Sequence, residues 1–304
     1  NCSASVSGGA VHSAAVGLSS LNNMTLDANS ANDGGHLYYA ENSIGLLTNS
    51  DLTDADASQT GGFIRVDAAT PQITSTTMTD VDAGVDAAQG GGIYVASGGT
   101  PIFKAVSVTG CRSSGDGGAM YVEAGGSPTV ELLAGFGGSG RSQLSRNTSN
   151  ARGGQIFFAA QANGDFESLD MDQGTASSTG GSLHISADAT PQFSDCEIGD
   201  STAVDGGVVA ILDGQPQFDQ QCRLHTGQAS GNGGVVWVSG EDAILTATST
   251  TIDGGSAQRG GIMGVFDNAI CVLADVDMAD GVANLDGGGL HVNDSAVDWD
   301  GGSC

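Results

Sequence analysis

Residues 117–122 read Gly117-Gly118-Ala119-Met120-Tyr121-Val122, and residues 90–95 read Gly90-Gly91-Gly92-Ile93-Tyr94-Val95. In both, large apolar side chains stand three and five places after the first glycine. Alternation of period two in so short a stretch marks a strand with one buried face. The pattern recurs. Gly-Gly pairs begin at 8, 34, 61, 90, 117, 153, 180, 206, 233, 260 and 287, about 27 residues apart, with one longer interval between Gly117 and Gly153. Three places after each first glycine stand Val11, Leu37, Ile64, Ile93, Met120, Ile156, Leu183, Val209, Val236, Met263 and Leu290. Five places after it stand Ser13, Tyr39, Val66, Val95, Val122, Phe158, Ile185, Ile211, Val238, Val265 and Val292, and only Ser13 breaks the row.

A second segment follows, often opened by a proline, as in Pro101-Ile102-Phe103, Pro191-Gln192-Phe193 and Pro216-Gln217-Phe218. Proline is tolerated at the first residue of a strand, where its missing donor does least harm. A third alternating segment comes next, as in Cys196-Glu197-Ile198 and Cys222-Arg223-Leu224, and a small polar loop leads to the next glycine pair. Three short strands per unit describe one coil of a solenoid. A single coil cannot bury its apolar face, but stacked coils share one core. The spacing therefore predicts an all-β chain, a single-stranded right-handed parallel β-helix of about eleven coils forming one domain over residues 1–304. At a rise of ~4.8 Å per coil the rod is ~50 Å long.

Composition narrows the function. Glycine supplies 50 of 304 residues, and 35 acidic residues against 8 Lys and Arg give a net charge of −27. Such a surface repels phosphate backbones, so no nucleic-acid partner is expected. No apolar run approaches the ~18 residues of a membrane span. The first residues, Asn1 to Gly9, lack the basic and apolar regions of a signal peptide, and the repeat runs to both ends without a capping unit. The expectation is a segment of a longer chain or a filament subunit.

The Gly-Gly-x-[Ile/Leu/Val]-x-Val unit resembles the Gly-Gly-Ala-Ile repeat of polymorphic outer-membrane proteins and related extracellular β-helix repeats. That resemblance implies a secreted surface or adhesive role. The partners expected are other protein subunits or copies of itself, or extracellular polysaccharide.

Several side chains stand out. Cys196 and Cys222 each lie 16 places after their glycine, so consecutive coils stack them at the ~4.8 Å strand spacing. That is within the Cα window of a disulfide; the alternative is a stacked pair of free thiols. Cys111 and Cys271 have no partner in phase, and Cys2 and Cys304 lie at the ends. Four Asn-x-Ser/Thr sequons, at Asn1, Asn23, Asn147 and Asn293, are candidate glycan sites, Asn147 foremost because it falls in the long interval.

The position between the two apolar rows reads His12, Tyr38, Arg65, Tyr94, Tyr121, Phe157, His184, Ala210, Trp237, Gly264 and His291. Alternation points this row outward. Tyr38, Tyr94, Tyr121, Phe157 and Trp237 would then form an exposed aromatic ladder, fit for a protein interface or for stacking on sugar rings; a row of cross-strand pairs that only steadies the sheet is the alternative. Asp33, Asp116, Asp205 and Asp286 precede glycine pairs and are weak calcium candidates, with a solvated turn as the alternative. No other cofactor is implied.

β-Helices also serve as polysaccharide lyases and hydrolases, which build clefts from long loops and place two carboxylates together. Here only the unit after Gly117 is long, and its insert, Gly135-Phe136-Gly137-Gly138-Ser139-Gly140-Arg141, begins a stretch with three of the eight basic residues, Arg141, Arg146 and Arg152. It reads as a cationic loop able to meet an acidic neighbour, or as a tolerated surface insertion. No catalytic residue is singled out. The expected function is a non-enzymatic structural or adhesive component of an extracellular appendage, filament or wall. The alternative is a carbohydrate-binding or polysaccharide-cleaving β-helix.

Overall fold

The coil from Gly180 to Gly206 shows how the chain turns. In the computed structural model, which describes residues 1–14, 18–80, 87–134 and 140–304, it runs through strands Leu183–Ile185, Gln192–Ser194 and Glu197–Ala203. Four residues in the left-handed region make its corners: Gly180 (φ 69°), Asp188 (58°), Asp195 (50°) and Asp200 (51°). The coil before it turns at Gly153, Gln161, Ser168 and Gln173. Positive φ is cheap only for glycine and, among other residues, for Asn and Asp. Among the described residues, nine of those with positive φ are Asp, including Asp54, Asp213, Asp267, Asp275, Asp280 and Asp294. Part of the acidity thus falls at corners whose backbone favours Asp, although other residues fill equivalent corners.

The strands that follow the glycine pairs form one eleven-stranded parallel sheet, from Val11–Ser13 through Met120–Val122 to Leu290–Val292. Its register places the first apolar row in a single file, Val11 on Leu37, Ile93 on Met120, Met120 on Ile156 and Met263 on Leu290. The other faces pair coil on coil in the same parallel sense. The two apolar rows point inward and, away from the end coils, are buried. They join a continuous core that includes the stack of Phe166, Phe193 and Phe218, with ring centroids 5.1 and 4.9 Å apart. In the last coil Val282, Leu285 and Val292 are exposed.

The small polar loop before each glycine pair is a fourth strand in most coils, as at Ser30–Asp33, Asp56–Thr60, Thr148–Ser149, Thr175–Ala176 and Ser256–Arg259. Its inward residues are small: Ala31, Ala57, Ser149, Ala176 and Ala257 are buried. Small side chains suit the narrow edge beside the glycine corner. There Gly181 packs so tightly that a Cβ would lie 2.1 Å from the Gly207 carbonyl oxygen of the next coil.

Candidate functional site: the outward row of the Gly-Gly sheet

The outward row does stack, but it is not an exposed ladder. Ring centroids lie 4.9 Å apart for His12–Tyr38 and 5.1 Å apart for Tyr94–Tyr121, Tyr121–Phe157 and Phe157–His184. The Arg65 guanidinium fills the rung between Tyr38 and Tyr94, 5.9 and 4.9 Å from their rings. Seven successive coils therefore carry one column of planar groups. Tyr94, Tyr121, Phe157 and His184 are nevertheless buried, at 6, 9, 3 and 1% exposure. Alternation tells which side of the strand a residue leaves from, not whether something covers it. Here residues just before the glycine pair fold over the row. The Arg152 guanidinium lies 4.5 Å above Phe157, and Thr179 Oγ1 meets His184 Nδ1 at 2.8 Å. Only Tyr38 and Trp237 of the five expected rings are half-exposed. Trp237 is flanked in register by Ala210 and Gly264, so no ring stacks on it from the neighbouring coils of its row.

Charges around the column are matched. Arg65 pairs with Asp33 at 3.1 Å and Asp67 at 3.5 Å, and the Tyr38 hydroxyl donates to Asp67 at 2.6 Å. Burial, together with that carboxylate, pushes the Tyr38 phenol up to about 12. Burial holds His184 down to about 3, with Arg152 adding to the effect, and its Nε2 has no partner.

The four calcium candidates all have partners within the protein. Asp116 receives a two-pronged contact from Arg152, at 3.0 and 2.8 Å. Asp33 accepts from Thr60 Oγ1 and Arg65, and Asp205 from the backbone and side-chain nitrogens of Asn232 at 2.7 and 2.9 Å. Asp286 lies 3.6 Å from Arg259. Each is a bracket to an adjacent coil. Among the described residues no group of three or more His, Cys, Asp or Glu side chains converges as a metal site.

The sequon at Asn147 does not lie in an exposed loop. Asn147 is fully buried; its Oδ1 accepts the Cys111 N–H at 2.8 Å and its Nδ2 donates to the Val108 carbonyl at 3.1 Å. The extra length lies earlier, between strands Thr129–Glu131 and Ser142–Ser145, and Leu133 N–H to Gly140 O closes it. Register is recovered before the sequon, which leaves no room for a glycan. Asn1, Asn23 and Asn293 are exposed. Residues 135–139 of the insert lie outside the described residues. Arg141 at its end reaches an acidic neighbour within its own chain, bonding Asp170 and Asp195 at 2.7 Å each. Cys196 and Cys222 are free buried thiols, not a disulfide.

Two features escaped the sequence reading. The residue two places after each first glycine also points inward, so His36, Gln155 and Ser182 are fully buried. His36 Nδ1 meets Asn29 Nδ2 at 2.9 Å and its Nε2 meets the Thr53 carbonyl at 3.0 Å; burial holds it down to about 4. The second is an open polar groove of about 450 Å³ on the proline-led face, lined by Thr129, Glu131, Asp165, Glu167, Gln192 and Asp219 among others. Lys104 pairs with Glu131 at 2.7 Å.

Comparison with protein-family models, with curated proteins and with solved structures found no match to this chain.

Proposed function

We propose that this chain is a non-enzymatic structural component, with an adhesive role, of an extracellular appendage, filament or wall, where it works as a stiff acidic shaft. One observation carries the reading. The register of the Gly-Gly sheet is unbroken over eleven strands, and side chains on its outer surface are bracketed from coil to coil. Binding machinery that closes on a ligand needs parts free to move, whereas a spacer needs every turn fixed to the next. A charge of −27 suits a saline exterior, where counterions screen self-repulsion. Its partners would be further coils of the same kind, or extracellular polysaccharide.

Electron microscopy of the material in its native setting tests this. Rods or filaments with a cross-section of one coil are expected, and only dispersed particles in soluble fractions would count against it. The polar groove supports a second reading, carbohydrate binding or cleavage, because adjacent coils bring Glu131 and Glu167 onto one face. Incubation with acidic and neutral polysaccharides decides between them. New reducing ends or unsaturated products, lost in Glu167→Gln, would replace the structural reading.

A further inference from the structure

Of the six cysteines, four are buried: Cys111, Cys196, Cys222 and Cys271. Their neighbours differ. Cys271 sits between Leu245 and Val297 of the flanking coils, and the Cys111 amide bonds to Asn147. Cys196 and Cys222 sit on each other. Glu197 pairs with Arg223 in parallel register, and the Arg223 N–H bonds the Cys196 carbonyl at 2.8 Å, so the two cysteines, one residue earlier, are direct neighbours along the shaft. Both side chains point inward, Cys196 at 2% and Cys222 at 1% exposure. Each sulfur also lies against a backbone carbonyl of the phenylalanine stack, Cys196 Sγ 3.3 Å from Phe166 O and Cys222 Sγ 3.4 Å from Phe193 O.

The two thiols are also unequal. A hydrogen bond between them raises Cys196, and burial adds to this, while the same bond and two backbone hydrogen bonds lower Cys222. Of the two, Cys222 gives up its proton more readily, although its burial opposes this, and the thiolate is the nucleophilic form of cysteine. Cys196, but not Cys222, is among the residues that line a shallow surface pocket with Arg141, Gln221 and Arg223. Cys111, with no cysteine neighbour, is pushed up by burial and by the nearby Asp80 carboxylate, and burial pushes Cys271 up to about 12.

We propose that Cys196 and Cys222 are a redox-active dithiol, a modification site that interconverts between the free pair seen here and a bond stapling two successive coils. The oxidant is a peroxide, a small molecule that reaches the buried pair when the two coils part locally. The Cys222 thiolate attacks one peroxide oxygen, the O–O bond breaks, and a sulfenic acid forms while the departing hydroxide takes up the proton that Cys222 has shed, leaving as water. The Cys196 sulfur then attacks the Cys222 sulfur. The S–O bond breaks, the S–S bond forms, and the Cys196 proton leaves with the hydroxyl as water. Two thiols and one hydrogen peroxide become one disulfide and two waters, two electrons passing from sulfur to oxygen. The ~4.8 Å between parallel strands already satisfies the ~4.4–6.8 Å Cα window, so the staple needs no change of register.

The test uses the full chain carrying Cys2→Ser and Cys304→Ser, which removes the exposed thiols. It is treated with hydrogen peroxide while folded, then denatured, alkylated and mapped by mass spectrometry. Two of the four remaining thiols should be lost to alkylation, with a crosslinked Cys196–Cys222 peptide two mass units lighter than its parts. Cys111 and Cys271 should remain alkylated, and dithiothreitol should restore all four. In a parallel sample with Cys222→Ser, Cys196 should form no crosslink. The proposal is overturned if peroxide consumes Cys111 or Cys271 as readily as the pair. It is equally overturned if Cys196 and Cys222 stay fully alkylatable under a dose that oxidises Cys2 and Cys304 in the unmodified chain, or if the loss is not reversed by reductant.

Discussion

At the scale of single residues, glycine and histidine mark where this chain tolerates nothing else. Gly181 faces the Gly207 carbonyl so closely that a methyl group must displace the neighbouring coil. Gly181→Ala should lower unfolding free energy by at least ~2 kcal/mol in urea titration; an unchanged midpoint would mean the coils are looser than described. His36 and His184 are buried neutral. Unfolded, each titrates near 6.5; folded, His36 falls to about 4 and His184 to about 3. Between those values the unfolded chain binds more protons, so stability is complete above pH 6.5 and declines as pH falls through this window, by up to ~1.4 kcal/mol per pH unit for each histidine. His184→Phe, which continues the ring column and removes an unpartnered nitrogen, should flatten that slope between pH 6.5 and 4. A variant with the parent's pH profile would show that His184 is not the source. Neither histidine could be placed from the sequence. His184 lies in a row whose cover comes from Thr179 and Arg152, and His36 lies just past a glycine corner that interrupts strict alternation.

Elements were legible where they repeat. The two apolar rows, the proline-led strand and the third segment all hold one phase in coil after coil, and the register puts them where the spacing requires. The fourth strand was not legible, because its inward positions are Ala and Ser, which read as loop residues although the narrow edge admits little else. The long interval misled for a related reason: its added residues precede Ser142–Ser145, and from that strand on the chain holds the common phase, which puts Asn147 inside. The ring column belongs to this scale too. Tyr121, ringed on both sides, should lose ~3 kcal/mol on replacement by Ala. Trp237→Ala should lose clearly less, since Ala210 and Gly264 give it no stack. Denaturant midpoints of the two variants, measured side by side, check the order, and equal losses would show that the column does not act as a unit.

For the whole molecule, charge is the dominant external term. Thirty-five acidic side chains face eight basic ones, and Arg65, Arg141, Arg152 and Arg223 are each held by carboxylates within the chain. The remaining excess is repulsion along a rod. Raising salt from roughly 0.01 M to 0.15 M shortens the screening length to ~8 Å and should raise the thermal midpoint by several degrees. A midpoint indifferent to salt would mean that the acidic corners are too far apart to interact.

Because each turn is bonded only to the turns on either side, tension applied to the two chain ends falls on one boundary at a time. Pulled in an optical trap, the molecule should pay out like thread from a bobbin, one loop per rupture. Each event would free about 27 residues, or roughly 90 Å of slack. A staple between Cys196 and Cys222 would be a knot in that thread, holding back the loop between them while the turns on either side run free.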